Sequence, residues 1–468
     1  MELNKHFKFI LVILSISFVL YACKNKTKVD NETLIIQEKP FKKGNPIVYD
    51  VGMADPHIKI FNNKAYLYAT RDEDKLAKDF IMSDWKIWSS KNLIHWTLET
   101  TIAPTETYMG ESKSCWASDA AYKNGNYYFY FSNGNTDTGV LVGKTPSGPF
   151  KDVLGKPMLP KNLTPTKEYD PTILIDDDDS KSAYIAFGHH RSSSPDYYFM
   201  IAKLNEDMIS LAEKPREIKI TGNAKVLGGN DKPTLHKFNG KYYLSAGSHY
   251  AISDNIYGPY VKTGNSGNNK YGLNSRAHGN YFDWNNQSFH TWCHFYLGKD
   301  VARYRESYIS YLHYKNNGEM VTDTNFLKNH FSMGVGQYDA NWKKIEAEWY
   351  MKADKTEKKE NPNGGFEIQN IKNNGWLYFP NIYNIENKEF ITLLVSSIEN
   401  ATVEIRANSS KGKLLGICNI EPTGSWTNYK EAVCNLSNTK GVKNIYFKFR
   451  GNSTDILHLD WFSFNSTK

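Results

Sequence analysis

Five ionisable residues stand at matching places along the chain. They are Asp55 in Ala54-Asp55-Pro56-His57, Asp119 in Trp116-Ala117-Ser118-Asp119, Asp170 in Tyr169-Asp170-Pro171, Asp231 in Asn230-Asp231-Lys232-Pro233 and His278 in Ala277-His278-Gly279. Each precedes a short polar turn and a run rich in aromatic residues. Carboxylates gathered in one place can divide into base and acid roles, because like charge and burial separate their pKa values. Asp before Pro is also ordinary turn chemistry, so one such residue decides little. Five at equivalent places point to a site.

The elements that must position them follow from the turns. Asn62-Asn63, Asn124-Gly125 and Asn239-Gly240 are hairpin turns followed by Tyr-rich strands, and Asp179-Ser180 and Asn285-Asn286 are weaker copies. The intervals run from 46 residues (239 to 285) to 62 residues (62 to 124), each enough for one four-stranded sheet. Helical periodicity is nearly absent between them. The simplest architecture is a five-bladed β-propeller, with a jelly roll or a pair of β-sandwiches as the alternative. In a propeller the innermost strands start around one axis, which would collect four carboxylates and one imidazole.

Composition narrows the function. The 468 residues are 40% hydrophobic and 23% charged, as in globular proteins, and too many for one average domain. The net charge of +7 is spread along the chain rather than gathered into a basic arm, which argues against nucleic acid as a partner. Lys5 and Lys8 precede an apolar run from Phe9 to Tyr21, too short for a comfortable bilayer span and suited to a secretory signal. Leu20-Tyr21-Ala22-Cys23 resembles a bacterial lipobox, which implies cleavage before Cys23, acylation of its thiol, and export as an outer-membrane lipoprotein. The membrane would then be met only through that lipid. Export permits disulfides: Cys418 and Cys434 could pair, whereas Cys115 and Cys293 are far apart in sequence. No Cys/His spacing suits zinc.

At the five sites the chain resembles glycoside hydrolase family 43, over about residues 46–335. The resemblance implies a five-bladed propeller that hydrolyses glycosidic bonds with inversion. Asp55 would be the general base and Asp170 the residue that orients the acid and adjusts its pKa. His278 resembles the histidine near a central ion, usually calcium. Inversion needs a base and a protonated acid on opposite faces of the sugar, roughly 6.5–9.5 Å apart. Where the family has Glu-Gly-Pro at the general acid, this chain has Asp231-Lys232-Pro233. Asp231 is shorter, and a nearby Lys232 ammonium would lower its pKa. Three readings follow: Asp231 is the acid, a histidine such as His249 or His278 takes the role, or the site binds sugar without cleaving it. Trp116 and Asp119 are expected at the substrate, with Arg276 and His249 as polar contacts. The acidic run Asp176 to Asp179 reads as a solvated hairpin tip.

Beyond Gln337-Tyr338-Asp339 the turn pattern stops, and alternating strands such as 390–395, 401–405 and 444–449 suggest a β-sandwich (jelly-roll) domain. Ile345-Glu346-Ala347-Glu348 and Leu459-Asp460-Trp461-Phe462 resemble carbohydrate-binding module family 6. That resemblance implies a structural calcium on Glu346, Glu348 and Asp460, with Trp426 stacking on a sugar, Asn452 as a hydrogen-bond partner and Phe366 completing the clamp. The expected organisation is therefore all-β: signal peptide 1–22, lipidated tether 23–45, propeller 46–340 and sandwich 341–468. The expected activity is hydrolysis of a polysaccharide or oligosaccharide by a monomer, arabinofuranosidase- or xylosidase-like with galactan as the alternative substrate, and with calcium and no organic cofactor. The competing reading is a catalytically silent glycan-binding lipoprotein.

Overall fold

Asn-rich turns fold the chain into hairpins because Asn and Gly tolerate a left-handed backbone. Both central residues have positive φ at Asn62-Asn63, Asn124-Gly125, Asn239-Gly240 and Asn285-Asn286, the geometry that matches strand twist. The computed structural model describes residues 44–189, 199–221, 232–267, 271–274, 277–298 and 300–467.

Five antiparallel meanders result. Sheet I holds β1 (Met53–Phe61), β2 (Lys64–Asp72), β3 (Met82–Ser90) and β4 (Thr97–Ile102). Sheet II holds β5 (Cys115–Lys123), β6 (Asn126–Asn133), β7 (Asp137–Gly143) and β8 (Phe150–Lys151). Sheet III holds β9 (Thr172–Ile175), β10 (Ala183–Gly188), β11 (Phe199–Lys203) and β12 (Arg216–Glu217). In sheet IV a short β13 (Ile220–Thr221) pairs parallel with β17 (Tyr260–Asn265), outside β14 (Pro233–Phe238), β15 (Lys241–Ala246) and β16 (His249–Ser253). Sheet V holds β18 (Tyr281–Trp284), β19 (Gln287–Phe295), β20 (Arg305–Tyr314) and β21 (Met320–Thr322).

The first strands of the five sheets, with the residues just before them, are stitched into a ring. Lys59 Nζ of β1 lies 3.0 Å from Asp119 Oδ1 of β5. Ile173 N of β9 donates to Asp119 Oδ2, and Leu235 N of β14 donates to Thr172 Oγ1. Thr234 Oγ1 donates to the Gly279 carbonyl before β18, and Ile58 N of β1 donates to Asn280 Oδ1. Neighbour joins neighbour and the fifth rejoins the first, the arrangement of a propeller. From the end of the axis away from Asp55 a cavity of about 520 Å³ opens, lined by Lys59, Ile175, Lys237 and Asp283.

The acidic run is not wholly a solvated tip. Asp176 is buried, accepting from Lys237 Nζ at 2.7 Å and Tyr242 OH at 2.6 Å, so it ties sheet III to sheet IV. Asp177 to Asp179 are exposed.

The C-terminal region is two facing sheets. One contains β25 (Glu357–Glu360), β26 (Phe366–Gln369), β34 (His458–Asn465), β29 (Phe390–Ser396) and β32 (Lys430–Asn435) in that order. The other contains β24 (Lys352–Asp354), β27 (Trp376–Phe379), β33 (Ile445–Arg450), β30 (Ala401–Ala407) and β31 (Leu414–Ile420). Strict alternation buries Val403, Ile405, Phe447 and Phe449 between the sheets. Cys418 of β31 and Cys434 of β32 form a disulfide that clips the two sheets together at one edge. Cys115 and Cys293 are free and buried.

This region packs directly on sheet V. Gln287 Nε2 donates to the Glu348 and Tyr350 carbonyls, and the buried Lys358 ammonium donates to the Leu312 carbonyl and Gln287 Oε1. One apolar core runs from Ile58, Phe289 and Tyr311 through Trp349 to Phe379, Phe447 and Phe462.

Candidate active site

Asp55 lies near the start of β1, is 2% exposed, and has a φ of 51° that turns its carboxylate onto the axis. His278 Nδ1 donates to its Oδ1 at 2.6 Å, and Arg305 Nη1 donates to the same oxygen at 2.9 Å. Oδ2 has no hydrogen bond among the described residues. Burial pushes the Asp55 carboxyl up, but Arg305, His278 and Lys232 outweigh it and hold the group well below the usual carboxylate range. Asp55 is therefore ionised with one oxygen committed and one available.

Arg305 is itself fixed. Its backbone N and Nε donate to Asp72 Oδ2 at 2.8 and 2.9 Å, and Nη2 donates to Asp72 Oδ1 at 3.0 Å. Such a fork sets orientation as well as charge. Its guanidinium also lies 4.8 Å from the centre of the Phe80 ring. Arg305 was missed in the sequence; its signal is a charged residue opening β20, a strand that is buried almost end to end.

Asp170 precedes β9 with a φ of 59°, and its backbone N donates to Ser132 Oγ at 2.8 Å. Lys232 precedes β14; its ammonium is buried and donates to the Ser118 carbonyl at 3.0 Å. Burial lowers the Lys232 pKa, opposed by Asp55, Asp119 and Asp170. Asp231, the expected acid, and Arg276 lie outside the described residues, as does Cys23.

Aromatic rings line the mouth above these charges. Ring centres step from Phe295 to Phe80 at 6.3 Å, to Trp116 at 6.1 Å, to Tyr169 at 6.2 Å and to His189 at 6.1 Å. Trp116 is half-buried within this arc. An apolar arc over a charged floor matches a pyranose or furanose, which is apolar on its C–H face and polar at its rim.

One residue expected at the substrate, Asp119, lies deeper in the ring. Asp119 is 0% exposed: Oδ1 takes the Ala120 N–H and faces Lys59 and His57 Nδ1, and Oδ2 takes the Ile173 N–H. It is a cross-link within the axis, set deeper than Asp55 because it sits mid-strand in β5. Burial depresses the neighbouring His57 to about 4 despite Asp119, so that imidazole is neutral. His249 opens β16, one strand removed from the first two of sheet IV, and its Nε2 pairs with Asn265 Nδ2 at 3.0 Å.

His278 Nδ1 is committed to Asp55. Among the described residues no three His, Cys, Asp or Glu side chains form a metal-ligating group. The same holds in the sandwich, where the expected trio does not close into one group. Glu346 Oε1 accepts from Lys344 Nζ at 2.7 Å, and Asp460 Oδ1 accepts from Asn361 Nδ2 at 3.1 Å. Glu348 is buried with Oε2 unpartnered, and burial with Glu346 alongside pushes its carboxyl well up. An orphaned buried carboxylate oxygen beside a second carboxylate suits a hard cation.

Trp426 stacks on His458 at 4.3 Å and 15°, which covers one of its two faces. Burial would lower the His458 pKa, but Asp455 and Glu367 raise it to about 9, so a cation backs the indole. Asn452 is exposed on the loop leading into β34. Phe366 is no part of a sugar clamp: it stacks on His313 of sheet V at 4.4 Å and belongs to the packing between the two regions.

Comparison with known proteins agrees with this architecture. The chain is similar to the Arabinoxylan arabinofuranohydrolase of Paenibacillus polymyxa, 26% identical over 491 residues that cover 90% of this chain and 74% of that one. It is similar to the Arabinoxylan arabinofuranohydrolase of Bacillus subtilis (strain 168), 24% identical with 97% and 98% covered. Its fold is like the crystal structure of a glycoside hydrolase family 43 arabinoxylan arabinofuranohydrolase from Bacillus subtilis in complex with cellotetraose. The TM-score is 0.53 at 20% identity, covering 91% of this chain and 98% of that one. Residues 346–466 match Carbohydrate binding module (family 6). Residues 44–320, well over half of the chain, match Glycosyl hydrolases family 43, and the chain belongs to that family of glycoside hydrolases.

Proposed function

We propose that this enzyme removes α-L-arabinofuranosyl or β-D-xylosyl units from a xylan-type polysaccharide with inversion at the anomeric carbon. The observation that carries the reading is Asp55: an ionised carboxylate with Oδ1 saturated by His278 and Arg305 and Oδ2 left for a water, beneath an aromatic arc. Asp55 Oδ2 takes a proton from that water as its oxygen bonds to the anomeric carbon. The glycosidic oxygen leaves with a proton from an acid on the other face, for which Asp231 is the proposed donor and Asp170 its orienting neighbour. The names of the Paenibacillus and Bacillus relatives support arabinoxylan as the first substrate to test.

Sugar release from arabinoxylan, xylan and galactan oligosaccharides, followed by proton NMR of the newly formed anomer, tests this. Asp55→Asn is expected to lower release by about 10²- to 10⁴-fold. A folded protein that retains one of these glycans without cleaving it would replace the reading with that of a glycan binder.

The sandwich is proposed to hold glycan on the open face of Trp426, with Asn452 at its edge. Glu346 and Glu348, with Asp460 close by, would bind a calcium that neutralises the buried Glu348. Export with acylation at Cys23 completes the proposal, supported by the Cys418–Cys434 disulfide, a bond of oxidising compartments. Mass spectrometry of the N-terminal peptide for a diacylglyceryl group on Cys23 tests it.

A further inference from the structure

Three residues on the axis share one local conformation. Asp55, Asp170 and Lys232 each precede a proline and each has a positive φ, 51°, 59° and 23°. That backbone is strained for a residue with a Cβ and persists only where its surroundings impose it. In sheets I and III the strained residue is an aspartate. In sheet IV it is an amine.

The amine reaches across the axis. Lys232 is 1% exposed, and its Nζ donates to the Ser118 carbonyl on β5. Sheets II and IV are not neighbours, since sheet III lies between them, so this bond spans the ring. The carboxylates of Asp55, Asp119 and Asp170 surround the ammonium electrostatically. His278 Nδ1 is engaged by Asp55, and both Asp119 oxygens take backbone N–H groups. With the Lys232 ammonium already among these carboxylates, a second cation beside it would be repelled, so the residues around Lys232 do not fit a metal ion.

We propose that Lys232 is the built-in cation of the propeller axis, doing the electrostatic work of an axial metal ion by tying sheet II to sheet IV and holding Asp55 and Asp170 in place for metal-independent hydrolysis. This rests on the reading of Asp55 and Asp170 as the working carboxylates. Lys232 is a positioning residue and touches neither water nor sugar in the reaction.

The test uses the full chain, with chelator throughout. Lys232→Ala is expected to melt several degrees lower and to lose at least about tenfold in sugar release. Propylammonium should restore both in the variant and change neither in the wild type, whereas the neutral propanol should restore neither. Equal rescue by propanol would show that only volume matters and would overturn the proposal. So would Lys232→Ala behaving as wild type. So would wild-type sugar release that vanishes in chelator at a temperature where the protein stays folded. If Lys232→Ala fails to fold, Lys232→Arg and Lys232→Met decide: Arg should retain melting and release, and Met should lose them, with the reverse order overturning the idea. A wild type that releases no sugar would defeat the proposed activity alone, because the melting comparisons still decide the role of Lys232.

Discussion

Asp55 works at a pKa set by its neighbours. Since Arg305 and His278 hold it below its ordinary 3.8, it stays ionised as pH falls through the range where a free aspartate protonates. The acid limb of the kcat/KM profile should therefore lie below pH 3.8, and Arg305→Met should move that limb upward, as measured on a soluble aryl glycoside. The same depression stabilises the fold above pH 3.8 and is lost as pH falls through the folded value. Glu306, next in sequence to Arg305, behaves oppositely. Burial raises it from 4.5 to about 7 despite hydrogen bonds from Gly52 N and Tyr304 OH that favour the ionised form, so the folded state keeps a proton that the unfolded chain has released. Stability contributed there falls as pH rises between 4.5 and about 7. Glu306→Gln should thus be more stable than wild type at pH 8, by about 2 kcal/mol in urea unfolding. At this scale the sequence disclosed Asp55 and Asp170 through their Asp-Pro steps. Lys232 carries the same step before Pro233, but a reading that looks for carboxylates passes over a lysine. Arg305 was hidden because contact with Asp55 and Asp72 requires residues some 230 to 250 positions apart to meet.

The hairpins were the most legible elements, because Asn-Asn and Asn-Gly admit few backbones besides a tight turn. The third turn was least so. Asp176 looked like part of a solvated tip, yet its carboxylate meets Lys237 and Tyr242 of the next sheet, a contact between strands far apart in sequence. Asp119 was placed at a strand start by analogy with Asp55, whereas β5 begins four residues earlier and buries it in the ring. In the sandwich, the disulfide joins the edge strand of each sheet across a separation of 16 residues. Replacing both Cys418 and Cys434 by Ser should cost about 3 kcal/mol, read from the denaturation midpoint under oxidising conditions.

On the scale of the whole molecule, the change in pattern near residue 340 was visible in the sequence, but what crosses it was not. Phe366 stacks on His313, Lys358 reaches the Leu312 carbonyl, and a shared apolar core runs through both regions. None of these pairs carries a local signature. Because the core is continuous, calorimetry should show one unfolding transition rather than two, and Phe366→Ala should lower its midpoint at a cost of about 3 kcal/mol. The fused core also bears on how a long polymer is engaged. A sugar-binding face on a slack linker works as a leash, raising local concentration in all directions equally. A face bolted to the fifth sheet works as a ruler, favouring chains whose cleavable unit stands at one fixed offset and bearing from the unit that is gripped.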